Sequence, residues 1–205
     1  MAAMTTGSTS RADANRRRIL DVALAELLRD PDVSMDQIAR AAGVVRRTVY
    51  GHFPNRETLI GTLVDDAVQA LADAHAVGRA GVQDPVEALA RCVLAVWPIA
   101  DRYRLLVALA QRTVTMQGIR ERLTPVRCSS VELLQRGLDQ GGFRSALPAP
   151  ALAYVVEQIL FGLMEAVNDG LVPTDEAARA AATTVLTSAG VPASRAATLV
   201  GRIAE

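Results

Sequence analysis

Apolar residues recur at intervals of three and four along almost the whole chain, and nowhere do they alternate over the length of a strand. That spacing puts one apolar stripe on each helix and leaves nothing to build a sheet from. Ile19, Leu20, Ala23, Leu24, Leu27 and Leu28 form one stripe. Leu59, Ile60, Leu63, Val64, Ala67, Val68 and Leu71 form a longer one. Half of the 205 residues are apolar and only 3% are aromatic. Ala and Leu lose little entropy in helices, so composition and spacing agree on an all-α fold.

The breaks between stripes define the helices. The first is expected over about 13–29, ended by "RDPD", because Pro31 disfavours helix at Asp30. Ser34 and Gln37 form a capping box for a short helix to about Ala42, and Gly43 supplies a turn. A second short helix spans about 45–52 and stops before Pro54. Asn55 caps a helix of about 55–76. Asp84 to Glu87 reads as another capping box, opening a helix to Trp97 that breaks at Pro98. Helices follow over about 100–114, 125–140 and 150–168. Thr174 is expected to cap 175–189, and Ser194 a last short helix.

The short helix, Gly turn and short helix at 34–52 make a helix-turn-helix pattern. Ala39 and Ala42 are small enough for a close crossing, while Ile38, Val44 and Val49 anchor the second helix, with Val45 expected beside Val49. Arg46, Arg47 and Tyr50 are left pointing outward, the arrangement that enters a major groove.

Charge distribution agrees. All 22 basic residues are Arg and balance 22 acids, so the chain is no polycation. Residues 40–56 nevertheless hold Arg40, Arg46, Arg47 and Arg56 and no acid. Residues 11–18 hold Arg11, Arg16, Arg17 and Arg18 against Asp13. Two basic patches on a neutral chain point to one surface for a polyanion.

The run "IARAAGVVRRTVYGHFPNRETL" resembles the DNA-binding signature of the tetracycline-repressor (TetR) family, and "RRRILDVALAELL" resembles that family's first helix. Close resemblance covers about 15–65. It implies a three-helix DNA-binding domain over 13–60, preceded by a flexible arm at 1–12. A helical ligand-binding and dimerisation domain would follow over 61–205, with the helix at 55–76 linking the two. Three positions depart from the family pattern. Val45 stands where a capping Ser or Thr is usual, Arg47 replaces a small residue, and Gly51 replaces a large or basic one. The link between the first two helices also lacks the usual Gly.

The resemblance implies double-stranded DNA as partner. Arg46 and Arg47 then meet guanine O6 and N7, or one of them meets phosphate only. Thr48 and Tyr50 donate to phosphates, with packing of Tyr50 on Phe53 as the alternative. His52 lies near the backbone or simply ends its helix. Arg56 meets phosphate at a helix N-terminus or is a solvated charge. Arg16 and Arg17 reach the adjacent backbone or minor groove, or form a solvated face with Arg18. A homodimer is implied through 151–168 and 174–189, because the first of these is apolar on more than one side.

A ligand cavity is implied in the second domain. Its candidate lining is Trp97, Tyr103, Met116, Tyr154, Phe161 and Met164, suited to an apolar small-molecule effector, with ordinary core as the alternative. The competing class is an all-helical small-molecule-binding protein or enzyme with a vestigial helix-turn-helix. No paired carboxylates, Cys–His set or phosphate loop supports it, so no catalytic residue, metal or cofactor is expected. Cys92 and Cys128 are read as buried small hydrophobes. With neither a signal peptide nor an uninterrupted apolar span, a cytoplasmic protein without a membrane segment is expected.

Overall fold

A computed structural model describes the backbone of residues 11–110 and 116–205, and the side chains of 12–104 and 117–205. These residues form ten helices and no strand. They are α1 (Arg11–Arg29), α2 (Met35–Ala41), α3 (Arg46–His52), α4 (Arg56–Arg79) and α5 (Pro85–Ala110). The rest are α6 (Met116–Arg122), α7 (Thr124–Asp139), α8 (Ala149–Asn168), α9 (Thr174–Ser188) and α10 (Ala193–Ile203). Residues 1–10 of the expected arm lie outside the described residues, and Arg11 and Ala12 already belong to α1.

Two apolar clusters organise the chain. The N-terminal one takes Ile19, Leu20 and Leu24 from α1, Ile38 from α2, Val49 from α3 and Leu59, Ile60 and Leu63 from α4, closed by Phe53. Burying such side chains contributes about 1.5–3 kcal/mol each. The second cluster is built by α5 and α7–α10. Helix α4 runs from the first to the second and packs along α5. There Gly78 is indispensable, since a Cβ would fall 2.7 Å from Cys92 Cα.

The local signals at the N-terminal end act as expected. Ser34 N–H donates to Gln37 Oε1 at 2.8 Å, and Gln37 N–H donates to Ser34 Oγ at 3.3 Å. Asn55 accepts from Thr58 N–H at 2.7 Å. Gly43 adopts φ +64°, the left-handed turn that reverses α2 into α3.

Elsewhere the structure corrects the sequence. Helix α5 does not break at Pro98 but runs through it. Pro98 is on the exposed side, where the carbonyl it leaves unpaired one turn back can be solvated. Helix α6 is a separate element between the helices expected at 100–114 and 125–140. Pro173 and Pro192 occupy the N-caps of α9 and α10, and neither helix has a side-chain cap, so Thr174 and Ser194 do not cap. Asp84 does accept from Val86 N–H at 2.9 Å, but Glu87 pairs with Arg91 instead of completing a box. Val45 is 70% exposed and does not pack beside the buried Val49. Of the two thiols only Cys92 is buried; Cys128 faces solvent.

Helix α8 is long and apolar enough to cross a membrane by length and composition. In the fold it packs between α7 and α9 through Leu152, Ala153, Val156, Met164 and Val167.

Candidate nucleic-acid interface

Helix α3 buries Val49, and its remaining residues are exposed or half-buried. Val45, its N-cap, has extended backbone (φ −73°, ψ 148°) but offers no side-chain acceptor to the first turn. The helix therefore presents bare N–H groups beside Arg46 and Arg47, with no acid of its own.

Those two arginines are placed differently. Arg47 is exposed and has no protein partner among the described residues. Arg46 is held on two sides. Its Nη1 donates to Asp36 Oδ2 at 2.9 Å. Its guanidinium carbon lies 5.0 Å from the centre of the Tyr50 ring, and Nη2 is 3.5 Å from the Tyr50 hydroxyl. Sequence reasoning missed Asp36, which precedes the acid-free stretch by four residues. No local spacing signals the contact, which is set by how α2 and α3 cross.

Thr48, Tyr50 and His52 are half-buried on the outer part of α3. The His52 and Phe53 rings are 6.2 Å apart and tilted. From α1, Arg16 lies over Phe53 at 5.6 Å, so Phe53 joins that arginine to the end of α3. Arg17 is exposed on the same helix. Arg56 is not a free cation: Nη1 donates to the carbonyl of Val33 and Nη2 to that of Pro31. Both terminal nitrogens tie the start of α4 to the α1–α2 loop.

A separate feature lies between the two apolar clusters. Helices α4 to α8 line a cavity of about 130 Å³ with mostly aliphatic walls. Tyr103, Phe161 and Met164 line it as expected. Trp97 does not; it is 3% exposed within the C-terminal cluster. Nor does Tyr154, which faces outward beneath Arg120 at 5.5 Å. Met116 opens α6, and its side chain lies outside the described residues.

The charged groups in the cavity wall are engaged with each other. Arg127 Nε donates to Glu157 Oε2 at 2.9 Å, and Nη2 to Oε1 at 3.1 Å. Within the wall, Ser130 Oγ donates to Val126 O at 3.0 Å and is 3.3 Å from Nε2 of His75 behind it. Burial, helped by the nearby Arg79 charge, lowers the His75 pKa to about 4, which keeps the imidazole neutral.

Residues 19–63 match the family model of bacterial regulatory proteins, tetR family. The chain is 39% identical over 64 residues to the HTH-type transcriptional regulator EthR of Mycobacterium tuberculosis (strain CDC 1551 / Oshkosh), a stretch covering 29% of this chain and 30% of that regulator. The chain thus spans under a third of that relative's length. The fold is shared with solved structures, among them the following two. The TetR-like regulator LfrR from Mycobacterium smegmatis, in complex with proflavine, gives a TM-score of 0.69 at 23% identity over 87% of this chain and 98% of that one. The fatty acid degradation regulator FadR from Bacillus halodurans gives 0.73 at 20% identity over 84% of this chain and 94% of that one.

Proposed function

On the premise that residues 19–63 make this chain a member of the tetR family of bacterial regulatory proteins, we propose that it is a dimeric transcriptional repressor. It binds a palindromic operator in double-stranded DNA and leaves it when an apolar effector fills the cavity. The observation that carries this reading is the outer face of α3, with Arg46 and Arg47 exposed, no acid in the helix and an uncapped N-terminus.

Arg47 and Arg46 read guanine edges or a phosphate in the major groove. Thr48, Tyr50 and His52 follow the backbone on the same face. Arg16 and Arg17 lie toward the adjacent groove. Arg56 acts at one remove, by fixing the α1–α2 loop beside α4. The division proposed is residues 1–12 as arm, 13–60 as DNA-binding domain and 61–205 as regulatory and dimerisation domain.

One α3 helix covers few base pairs, and a two-fold pair covers a palindrome. Helices α8 and α9 suit that pairing. Tyr154 and Gly162 are exposed on α8, in a helix whose charges are only Glu157 and Glu165. The effector is read as neutral, because Arg127 and Glu157 satisfy each other and leave no unpaired charge among the described residues of the wall.

Selection of bound fragments from a random duplex pool, followed by a salt titration, tests the reading. The expected result is a palindromic consensus whose affinity falls steeply with salt. Absence of any enriched sequence together with a flat titration would refute it. Small apolar molecules are then screened for release of the selected duplex.

A further inference from the structure

We propose that Asp36 is a positioning residue that sets sequence selectivity through Arg46, withdrawing that guanidinium from indiscriminate phosphate contact. This rests on the DNA-binding reading above.

Three observations carry it. First, Asp36 is rigidly placed. It sits in the first turn of α2, which the reciprocal Ser34–Gln37 bonds fix. Second, its two oxygens are used unequally. Oδ2 takes Arg46 Nη1 at 2.9 Å, while Oδ1 is buried with no hydrogen-bond partner. Leaving a carboxylate oxygen unpaired under the surface is unfavourable. Third, the guanidinium also lies over the Tyr50 ring, 5.0 Å from its centre.

Stability does not account for this arrangement. The pair is solvated, with 67% of the Arg46 side chain and 45% of the Asp36 side chain exposed. Such pairs contribute little. The α2–α3 crossing is already closed by Ile38, Ala39 and Val49. A carboxylate on a face that meets a polyanion also opposes binding to every duplex alike. What it can improve is discrimination.

An arginine has five N–H donors. Asp36 and Tyr50 occupy two of them, and three remain, enough for two parallel bonds to a guanine edge. Held in this way, the side chain loses less entropy when it meets that edge. Released, it would swing to whichever phosphate lies nearest. Arg47 has no such restraint, so the two adjacent arginines are not equivalent.

The test compares the full-length protein with Asp36→Asn, which keeps the shape and removes the charge. Binding to one fixed duplex of arbitrary sequence is measured over a salt series, and each protein also selects from the random pool. For Asp36→Asn, affinity for the arbitrary duplex should rise, by up to roughly tenfold at 0.1 M salt, and the salt slope should steepen by about 0.9. Preference should flatten at one position of each half-site. In an Arg46→Ala background the Asp36 substitution should no longer alter that preference.

A folded Asp36→Asn with the parental slope and consensus would overturn the proposal, as would an even loss of affinity on all duplexes. Asp36→Ala serves as a second variant; if neither folds, Asp36 is structural and the proposal fails. If the parent protein itself selects no sequence, the DNA-binding reading has failed first, which the parental arm alone reveals.

Discussion

His75 is buried between α4 and α7, with its Nε2 on Ser130 and its own carbonyl accepting from the Cys92 thiol at 3.3 Å. Its pKa is lowered from 6.5 to about 4, chiefly by burial. The unfolded chain therefore takes up a proton at higher pH than the folded one. Stability is fully present above about pH 6.5 and is lost as pH falls toward 4, by about 3 kcal/mol at most. Urea melts from pH 7 to 4 should show this slope, and His75→Gln should remove most of it. Arg56 makes a different kind of link, spending two nitrogens on backbone carbonyls. Arg56→Ala should lower stability by about 1–3 kcal/mol, since those carbonyls lose charged donors. An unchanged urea midpoint would show the clamp to be idle.

Helix α3 begins without a side-chain cap, and the residue at that point is 70% exposed. Little packing is lost by replacing it. Val45→Ser should therefore stabilise the protein by about 0.5–2 kcal/mol, through a bond to a free N–H of the first turn. A chemical-denaturation midpoint that fails to rise would mean another group already satisfies it. The α4–α5 contact is at the opposite limit. Added at residue 78, a methyl meets Cys92 N at 2.8 Å and Arg91 C at 2.9 Å. These are backbone atoms on a continuous helix and cannot swing aside. Gly78→Ala should destabilise by about 1–3 kcal/mol or more. A thermal melt unchanged by it would mean that the two helices can move apart without loss.

For the assembled molecule, the proposed dimer depends on the outward face of α8. Gly162 is exposed there and has nothing within 4 Å of a built Cβ. A single chain should tolerate Gly162→Arg, whereas a two-fold pair would bury two opposed cations. Light scattering should show the variant as one chain where the parent is two. Affinity for a selected palindrome should fall by at least roughly tenfold, since each half-site would then be bound alone. A variant that stays dimeric would place the interface elsewhere.

The all-helical architecture and the α2–Gly43–α3 motif were legible because their signals are local. A three-four apolar period, a capping pair three residues apart and a glycine at a left-handed turn act within one or two helical turns. The same locality misled at Pro98, Thr174 and Ser194, where the orientation of a face or a preceding proline decided the outcome. Contacts between segments far apart in the chain could not be read this way. Asp36 reaching Arg46, Arg56 closing on the α1–α2 loop, and Trp97 filling core while Tyr103, Phe161 and Met164 surround a cavity all depend on how helices cross. Sequence alone determined the all-helical class, the short helix pair around Gly43 and which helix carries the cations. Tertiary structure decided which cations are free, because a guanidinium's partners are chosen by proximity in space and not by spacing along the chain.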